Sequence, residues 1–116
     1  MTELAGTTWV VVAVSRIATK GSRRPNVTFD PDGRVHGSAG VNRYFASYSV
    51  ADEAVTFGTA GSTMMAGPEE LMEQEDRFLG SLQGTKLLHW TDAGLTLGYG
   101  DGQIDLEPTT REESAQ

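Results

Sequence analysis

A chain of 116 residues with 38% hydrophobic residues has the size and composition of one globular domain, and its mean hydropathy of −0.31 argues against a membrane protein. The absence of cysteine excludes disulfides, thiolate metal sites and a cysteine nucleophile. The net charge of −7 disfavours nucleic-acid binding, because an acidic protein repels the phosphate backbone.

The first forty residues predict three strands. Residues 8–15 are rich in β-branched side chains and contain Trp9, which is typical of a strand buried on both faces. Residues 16–25 are polar and predict a loop. Residues 26–29 and 34–37 form a predicted hairpin, because the Asp-Pro-Asp-Gly segment between them favours a tight turn.

Glycine and asparagine then mark a turn at residues 37–44, and the alternating residues 44–50 and the short segment 54–57 predict two more strands. Asn42 has two interpretations. Its side chain can fix the turn by bonding neighbouring backbone, or it can present its amide to a ligand. We favour the first, because the glycines around Asn42 are typical of a tight corner. Residues 58–67 predict a loop.

One helix is predicted over residues 68–83. Pro68 suits the first helical turn, and Glu69 and Glu70 are favourable beside the positive end of the helix dipole. The remaining helix carboxylates predict a solvated face with a Glu73–Arg77 ion pair rather than a catalytic carboxylate pair. Gly84 is expected to end the helix. One face is mostly apolar and consists of Leu71, Met72, Glu75, Phe78, Leu79 and Leu82.

Residues 85–90, 95–99 and 103–107 predict three closing strands, and Asp101–Gly102 is a strong hairpin signal before the last of them. Residues 108–116 predict a flexible tail, which leaves residues 1–107 as the domain. The order of strands, one helix and further strands predicts an α+β domain with a mainly antiparallel, curved or barrel-like sheet of about seven or eight strands.

Few side chains in this sequence indicate a catalytic or metal-binding role. His36 and His89 lie in separate strands with no further ligands to place beside them, so we expect no metal site. Met64, Met65 and Met72 are close in sequence; thioethers bind Cu(I), but a packing or contact role is more typical of methionines without histidine or cysteine. Ser62–Thr63 lacks an identifiable base. We therefore expect neither catalysis nor a cofactor.

Three segments carry a family resemblance: residues 4–9 (LAGTTW), 37–44 (GSAGVNRY) and 62–75 (STMMAGPEELMEQE). Their order and spacing resemble the META domain, the fold of HslJ-like heat-shock-inducible bacterial proteins, from about residue 4 to residue 106. The resemblance implies a stress- or envelope-associated protein of undefined biochemistry. The residues that match the structural motif of that fold are Trp9, Gly37, Gly40, Asn42 and Pro68.

The sequence departs from the family at two positions. META domains usually carry cysteine where Val41 and Gly67 stand here. Because both cysteines are replaced together, we expect these two positions to lie close to each other in the fold.

The turn and loop motifs predict a candidate interaction surface of Asn42, Arg43, Tyr44, Thr63, Met64 and Met65, because binding residues are often carried by loops. We therefore predict a non-enzymatic binding or interaction module, monomeric, with an unknown protein or small-molecule partner. The alternatives are a small-molecule binder or hydrolase with a curved-sheet pocket, or a structural accessory domain that stabilises a partner or membrane complex. No signal peptide, lipobox cysteine or membrane-spanning stretch is visible, so the sequence as given predicts a cytoplasmic location, although family members are often envelope-associated.

Overall fold

Eight antiparallel strands close into a barrel within the part of the chain that the computed structural model describes, residues 4–19, 24–98 and 103–108. Around the barrel the order is the first, third, fourth, fifth, sixth, eighth, ninth and tenth strand, and the tenth pairs back with the first. In chain order the strands are β1 (Thr7–Val14), β2 (Ile17–Ala18), β3 (Asn26–Phe29), β4 (Arg34–Ser38), β5 (Arg43–Ala51), β6 (Ala54–Phe57), β7 (Gly61–Ser62), β8 (Gly84–Trp90), β9 (Leu95–Leu97) and β10 (Ile104–Pro108).

One helix, α1 (Glu69–Ser81), lies between β7 and β8 in the chain and packs onto the barrel core. Phe78 of α1 and Leu82 just after it are completely buried, and the Phe78 ring meets the Tyr44 ring edge-on with centroids 5.3 Å apart. Burying a phenylalanine stabilises the fold by about 1.5–3 kcal/mol. The helix is therefore held by the same core that fills the barrel.

The alternating polarity of the sequence predicts the barrel strands well. β3 and β6 match their predicted bounds residue for residue, and the other predicted strands differ by one or two residues at an end. In β5, Tyr44 and Ala46 are buried while Phe45 and Ser47 are exposed, as the alternation requires. The tight turn predicted between β3 and β4 is present, and in it the Gly33 N–H donates to the Asp30 carbonyl at 3.3 Å. The α+β class and the barrel-like antiparallel sheet are confirmed.

Two short strands were predicted as loop. β2 pairs with β1, and β7 pairs with β5 through Tyr44 opposite Ser62 and Phe45 opposite Gly61. Each has only two residues and lacks an alternating apolar pattern, so only pairing with a longer neighbour defines it. β7 matters for the site because it fixes the start of the following loop against β5.

The predicted ends of the helix and of the domain need small corrections. Pro68 has an extended ψ of 139° and is the residue before the helix; its carbonyl accepts the Met72 N–H at 3.0 Å. The helix ends at Ser81, with Leu82 as its C-cap, rather than at residue 83. Pro108, which the sequence predicts to lie in the tail, pairs with Trp9 in the closing strand. The Asp101–Gly102 hairpin and residues 109–116 of the predicted tail lie outside the described residues.

The prediction of an ion pair between Glu73 and Arg77 is wrong. Among the described residues the ion pair that forms is His36–Asp30, with Nε2 and Oδ2 3.0 Å apart. Glu73 faces solvent, where a pair along a helix contributes only about 0.3–0.5 kcal/mol, so hydration of the separate side chains competes with it.

Candidate functional site

A buried asparagine lies at the centre of the site. The Asn42 side chain is only 4% exposed, and all of its hydrogen-bonding groups are used. Its Oδ1 accepts from the Thr63 hydroxyl at 2.9 Å and from the Met65 N–H at 2.6 Å. Its Nδ2 donates to the Met65 carbonyl at 3.1 Å and to Glu75 Oε2 at 2.8 Å. Asn42 therefore joins the start of β5, the loop after β7 and the helix.

A buried carboxylate completes this network. Glu75 of α1 is 3% exposed, and its Oε1 accepts the backbone N–H groups of Val41 at 3.0 Å and Asn42 at 2.6 Å. Together with the Asn42 amide, three N–H donors face the two carboxylate oxygens. A buried carboxylate is costly unless it is bonded in this way, so the 40–42 turn and Glu75 stabilise each other.

Glu75 was not predicted as a site residue. The sequence placed it on the apolar face of α1, and an acidic side chain in an apolar stripe is the signal that points to a buried carboxylate with partners. We refer to Asn42, Glu75, Thr63 and the backbone of Val41 and Met65 as the Asn42–Glu75 network.

The two positions that carry cysteine in the resembling family are in contact here. A Cβ placed on Gly67 would lie 2.8 Å from Val41 Cγ2 and 3.5 Å from Val41 Cβ. Glycine at position 67 leaves room for the branched side chain of Val41, which is half-buried. The expected proximity is confirmed, and Val41 packs against the loop where a cysteine pair would stand.

Two different backbone constraints explain the two motif glycines. A Cβ on Gly37 would collide with the Asn26 carbonyl oxygen and side-chain oxygen, and the latter accepts the Ser38 N–H at 3.0 Å. Gly40 has a φ of 122°, which side chains rarely adopt. Both glycines support the turn that presents the Val41 and Asn42 amides to Glu75.

The six predicted surface residues divide into buried and exposed groups. Asn42 and Tyr44 are buried, so a partner cannot reach them directly. The Tyr44 hydroxyl donates to the Asn26 carbonyl at 2.7 Å, and burial raises the pKa of its phenol well above the usual range. Arg43 and Thr63 are exposed, while Met64 is 92% and Met65 60% exposed. The buried residues hold the loop, and the exposed ones face outward.

A separate cavity of about 730 Å³ opens at the other end of β5. Its apolar wall includes Leu4, Tyr48, Leu88 and Trp90, and the β5–β6 turn adds acidic side chains. The Trp90 ring packs on the buried ring of Trp9 with centroids 5.9 Å apart, and the Trp9 Nε1–H donates to the Thr7 hydroxyl at 2.8 Å. Trp9 thus supports the cavity wall from inside the barrel.

The turn, the loop and the helix entry lie within the part of the chain that a family model matches. The model for the META domain matches residues 2–109, which is nearly the whole chain. The chain belongs to the META domain family. No curated protein matches the chain significantly.

Solved structures share the fold of this META domain. One is the NMR structure of a protein from Burkholderia xenovorans, with a TM-score of 0.70 and 22% identity, covering 93% of this chain and 85% of that chain. A second protein structure determined by NMR has a TM-score of 0.72 and 17% identity, covering 93% of this chain and 96% of that chain. At these identities the likeness establishes the fold alone.

The polar groups of the Asn42–Glu75 network in this META domain are engaged in structure. The Thr63 hydroxyl donates to Asn42 Oδ1 and accepts the Arg43 N–H at 3.2 Å, so it is held on both sides. No cluster of three or more potential metal ligands occurs among residues 4–19, 24–98 and 103–108. Within the same ranges, no helix is both long and apolar enough to cross a bilayer.

Proposed function

We propose that this META domain is a non-enzymatic interaction module that binds a partner protein through exposed side chains around the loop after β7. We call the set of Arg43, Phe45, Thr63, Met64 and Met65 the methionine surface. The observation that carries the proposal is that Met64 and Met65 are 92% and 60% exposed on a loop whose backbone is fixed by buried hydrogen bonds.

A loop with a fixed backbone and exposed apolar side chains is suited to contact with a partner. Met65 is fixed at both its N–H and its carbonyl by Asn42, and the Thr63 N–H donates to the Arg43 carbonyl at 3.0 Å. A loop ordered in advance loses little further entropy on binding. Methionine side chains adapt to varied apolar surfaces, so a fixed backbone with two free thioethers suits a protein partner.

Phe45 extends the apolar part of this surface. It is exposed on the outer face of β5, and its ring covers Gly61 so closely that a Cβ at position 61 would lie 2.7 Å from Phe45 Cζ. Exposed aromatic and methionine side chains are enriched in protein interfaces. Arg43, beside them, supplies a charged edge.

The assignment as non-catalytic is supported by the use of the polar groups. Asn42, Glu75 and Thr63 direct their side-chain bonds to backbone or to one another. A nucleophile or a general base needs a lone pair or proton that faces substrate. We propose that the Asn42–Glu75 network positions the loop and does not react.

Site-specific crosslinking tests the methionine surface. A benzophenone amino acid replaces Met64 in one variant and Leu87, an exposed residue of β8, in the matched control. We expect one partner to crosslink from position 64 and not from position 87, and to be lost in Met65→Lys. Equal crosslinking from both positions, or an unchanged yield in Met65→Lys, would contradict the proposal.

A stress-associated role is part of the same proposal and is supported by the family resemblance. We expect protein abundance to rise after heat shock in the source cell and the crosslinked complex to rise with it. Quantitative blotting of heated and unheated cells measures both, and abundance that is unchanged by heat argues against this role.

A second candidate function is small-molecule binding, and the cavity of about 730 Å³ favours it. Ligand sites commonly have volumes of about 300–1,000 Å³ with apolar walls and a few polar groups. Trp90 is 39% exposed at this cavity, so its indole reports on occupancy. A fragment screen followed through the Trp90 indole N–H signal tests this function, and no shift for any fragment would oppose it.

A further inference from the structure

The cavity at the end of β5 combines aromatic walls with an acidic rim. Tyr48 and Trp90 contribute aromatic side chains to the lining, and Val50 and Leu88 contribute apolar ones. Asp52 and Glu53, in the turn between β5 and β6, line the same cavity. None of the described residues that line it is basic. The chemistry of the lining is therefore apolar, aromatic and negatively charged.

Tyr48, which lines the cavity, is also near negative charge. The Tyr48 hydroxyl donates to the Asp30 carbonyl at 2.7 Å. Burial raises the pKa of the Tyr48 phenol, and the charges of Asp30 and Asp32 raise it further. A phenol near two carboxylates resists losing its proton, and negative charge of this kind attracts a cation.

The carboxylates of the β5–β6 turn are available to a ligand. Asp30 already pairs with His36, but no ion pair within residues 4–19, 24–98 and 103–108 involves Asp52 or Glu53. Both side chains are exposed at the cavity edge. A cation bound in this cavity would have two carboxylates and an indole in the same lining.

We propose that this cavity binds a small organic cation with an apolar body. The apolar body packs between Leu88 and Trp90, and the cationic group lies near Asp52 and Glu53. Aromatic faces attract cations, and nearby carboxylates add to the attraction. This inference rests on the second candidate function above and adds the charge class of the ligand to it; it is independent of the methionine surface.

Three probes with one naphthalene body test the charge class: 2-naphthylmethylamine, 2-naphthylmethanol and 2-naphthoate. NMR titration of the full chain follows the Trp90 indole N–H, assigned with Trp90→Phe. We expect the amine to bind about tenfold more tightly than the alcohol, and the carboxylate to bind most weakly. In the double variant Asp52→Asn/Glu53→Gln, the affinity for the amine should fall to within about twofold of the affinity for the alcohol. The affinity for the alcohol itself should stay unchanged.

The variants separate the cavity charge from net charge and from folding. Asp52 has a φ of 56°, which asparagine tolerates well, so Asp52→Asn keeps the turn. Glu70→Gln/Glu73→Gln removes the same two charges on the exposed face of α1, away from the cavity lining, and should keep the tenfold preference. Loss of the preference in this control would overturn the proposal, because the attraction would then come from net charge.

Two further outcomes separate the inference from the function on which it rests. Equal binding of amine and alcohol to the unmodified protein would overturn the cation proposal and leave small-molecule binding intact. An unmoved Trp90 signal with all three probes at millimolar concentration would overturn both.

Discussion

Glu75 has a structural role that its residue type would not suggest. Its carboxylate lies beneath the 40–42 turn and accepts from two backbone amides and the Asn42 side chain. An acceptor with two oxygens suits three converging donors, whereas an amide offers one oxygen and one nitrogen. The Asn42 amide cannot flip to exchange its oxygen and nitrogen, because its Oδ1 already accepts hydrogen bonds from Thr63 and Met65.

Glu75→Gln should therefore destabilise the domain by about 1–3 kcal/mol, because the new amide nitrogen faces a donor and leaves it without an acceptor. Urea denaturation measures the change in the free energy of unfolding. The control Glu73→Gln, on the exposed face of the same helix, should change it by less than about 0.5 kcal/mol. Equal effects of the two variants would show that Glu75 has no special role.

Tyr44 should make the fold sensitive to alkaline pH. Burial raises its pKa in the folded state, whereas in the unfolded chain the phenol ionises near pH ~10. The stabilisation is therefore complete below pH ~10 and is lost as pH rises from there toward the folded pKa, because only the unfolded state has released the proton.

The chain has three tyrosines, and tyrosinate absorbance during a pH titration can separate them. We expect the Tyr44 component to appear only together with unfolding. In Tyr44→Phe, stability at neutral pH should fall by about 1 kcal/mol, because the bond to the Asn26 carbonyl is lost. Above pH ~10 the stability of this variant should decline less than that of the unmodified protein. The decline that remains is the part caused by Tyr48, whose pKa is also raised. Ionisation of all three tyrosines in the native protein at pH ~10 would contradict this.

At the scale of elements, the loop before α1 and the turn before β5 act as one unit. Val41 and Gly67 meet across it, and a Cβ at position 67 would lie 3.5 Å from Val41 Cβ. Disulfides have Cβ–Cβ separations of about 3.5–4.5 Å, so this pair of positions lies at the short end of the range that a disulfide requires.

Val41→Cys/Gly67→Cys should form a disulfide on mild oxidation and raise stability by about 2–4 kcal/mol. Thiol titration and melting with and without reductant measure both effects. Gly67→Ala alone should destabilise the domain through its contact with Val41 Cγ2, and Val41→Ala/Gly67→Ala should recover part of the loss. Free thiols that persist under oxidation would contradict the observed proximity.

The elements also show how far the sequence alone can lead. Alternating apolar residues define β3 and β6, since one buried face per strand produces that pattern locally. β7 has no such pattern, because two residues are too few to show one, and β7 is a strand only through its pairing with β5. The burial of Glu75 depends on donors more than thirty residues away in sequence, and the burial of Asn42 depends on partners 21 to 33 residues away. A helical pattern predicts the face, but only the fold brings the partners together.

The whole molecule depends on the pairing of β1 with β10. Val11 lies opposite Leu106 and Val14 opposite Ile104, and all four side chains are buried in the common core. A closed barrel leaves no free edge between these strands.

Ile104→Ala should destabilise the barrel by about 2–5 kcal/mol, because it leaves a cavity at the closing seam. The control Ile17→Ala, in the short and exposed β2, should cost far less. Chemical denaturation of both variants measures the difference, and similar losses would show that closure adds little to stability.

The seam also determines when the protein can finish folding. β1 is made before the other strands of the barrel, but one of its edges stays unpaired until residues 104–108 have been made. Contacts between such distant segments slow folding, and an open strand edge can pair with another chain. A nascent META domain is thus exposed to aggregation until its last strand emerges from the ribosome, and this is the interval in which a chaperone would be of most use to it.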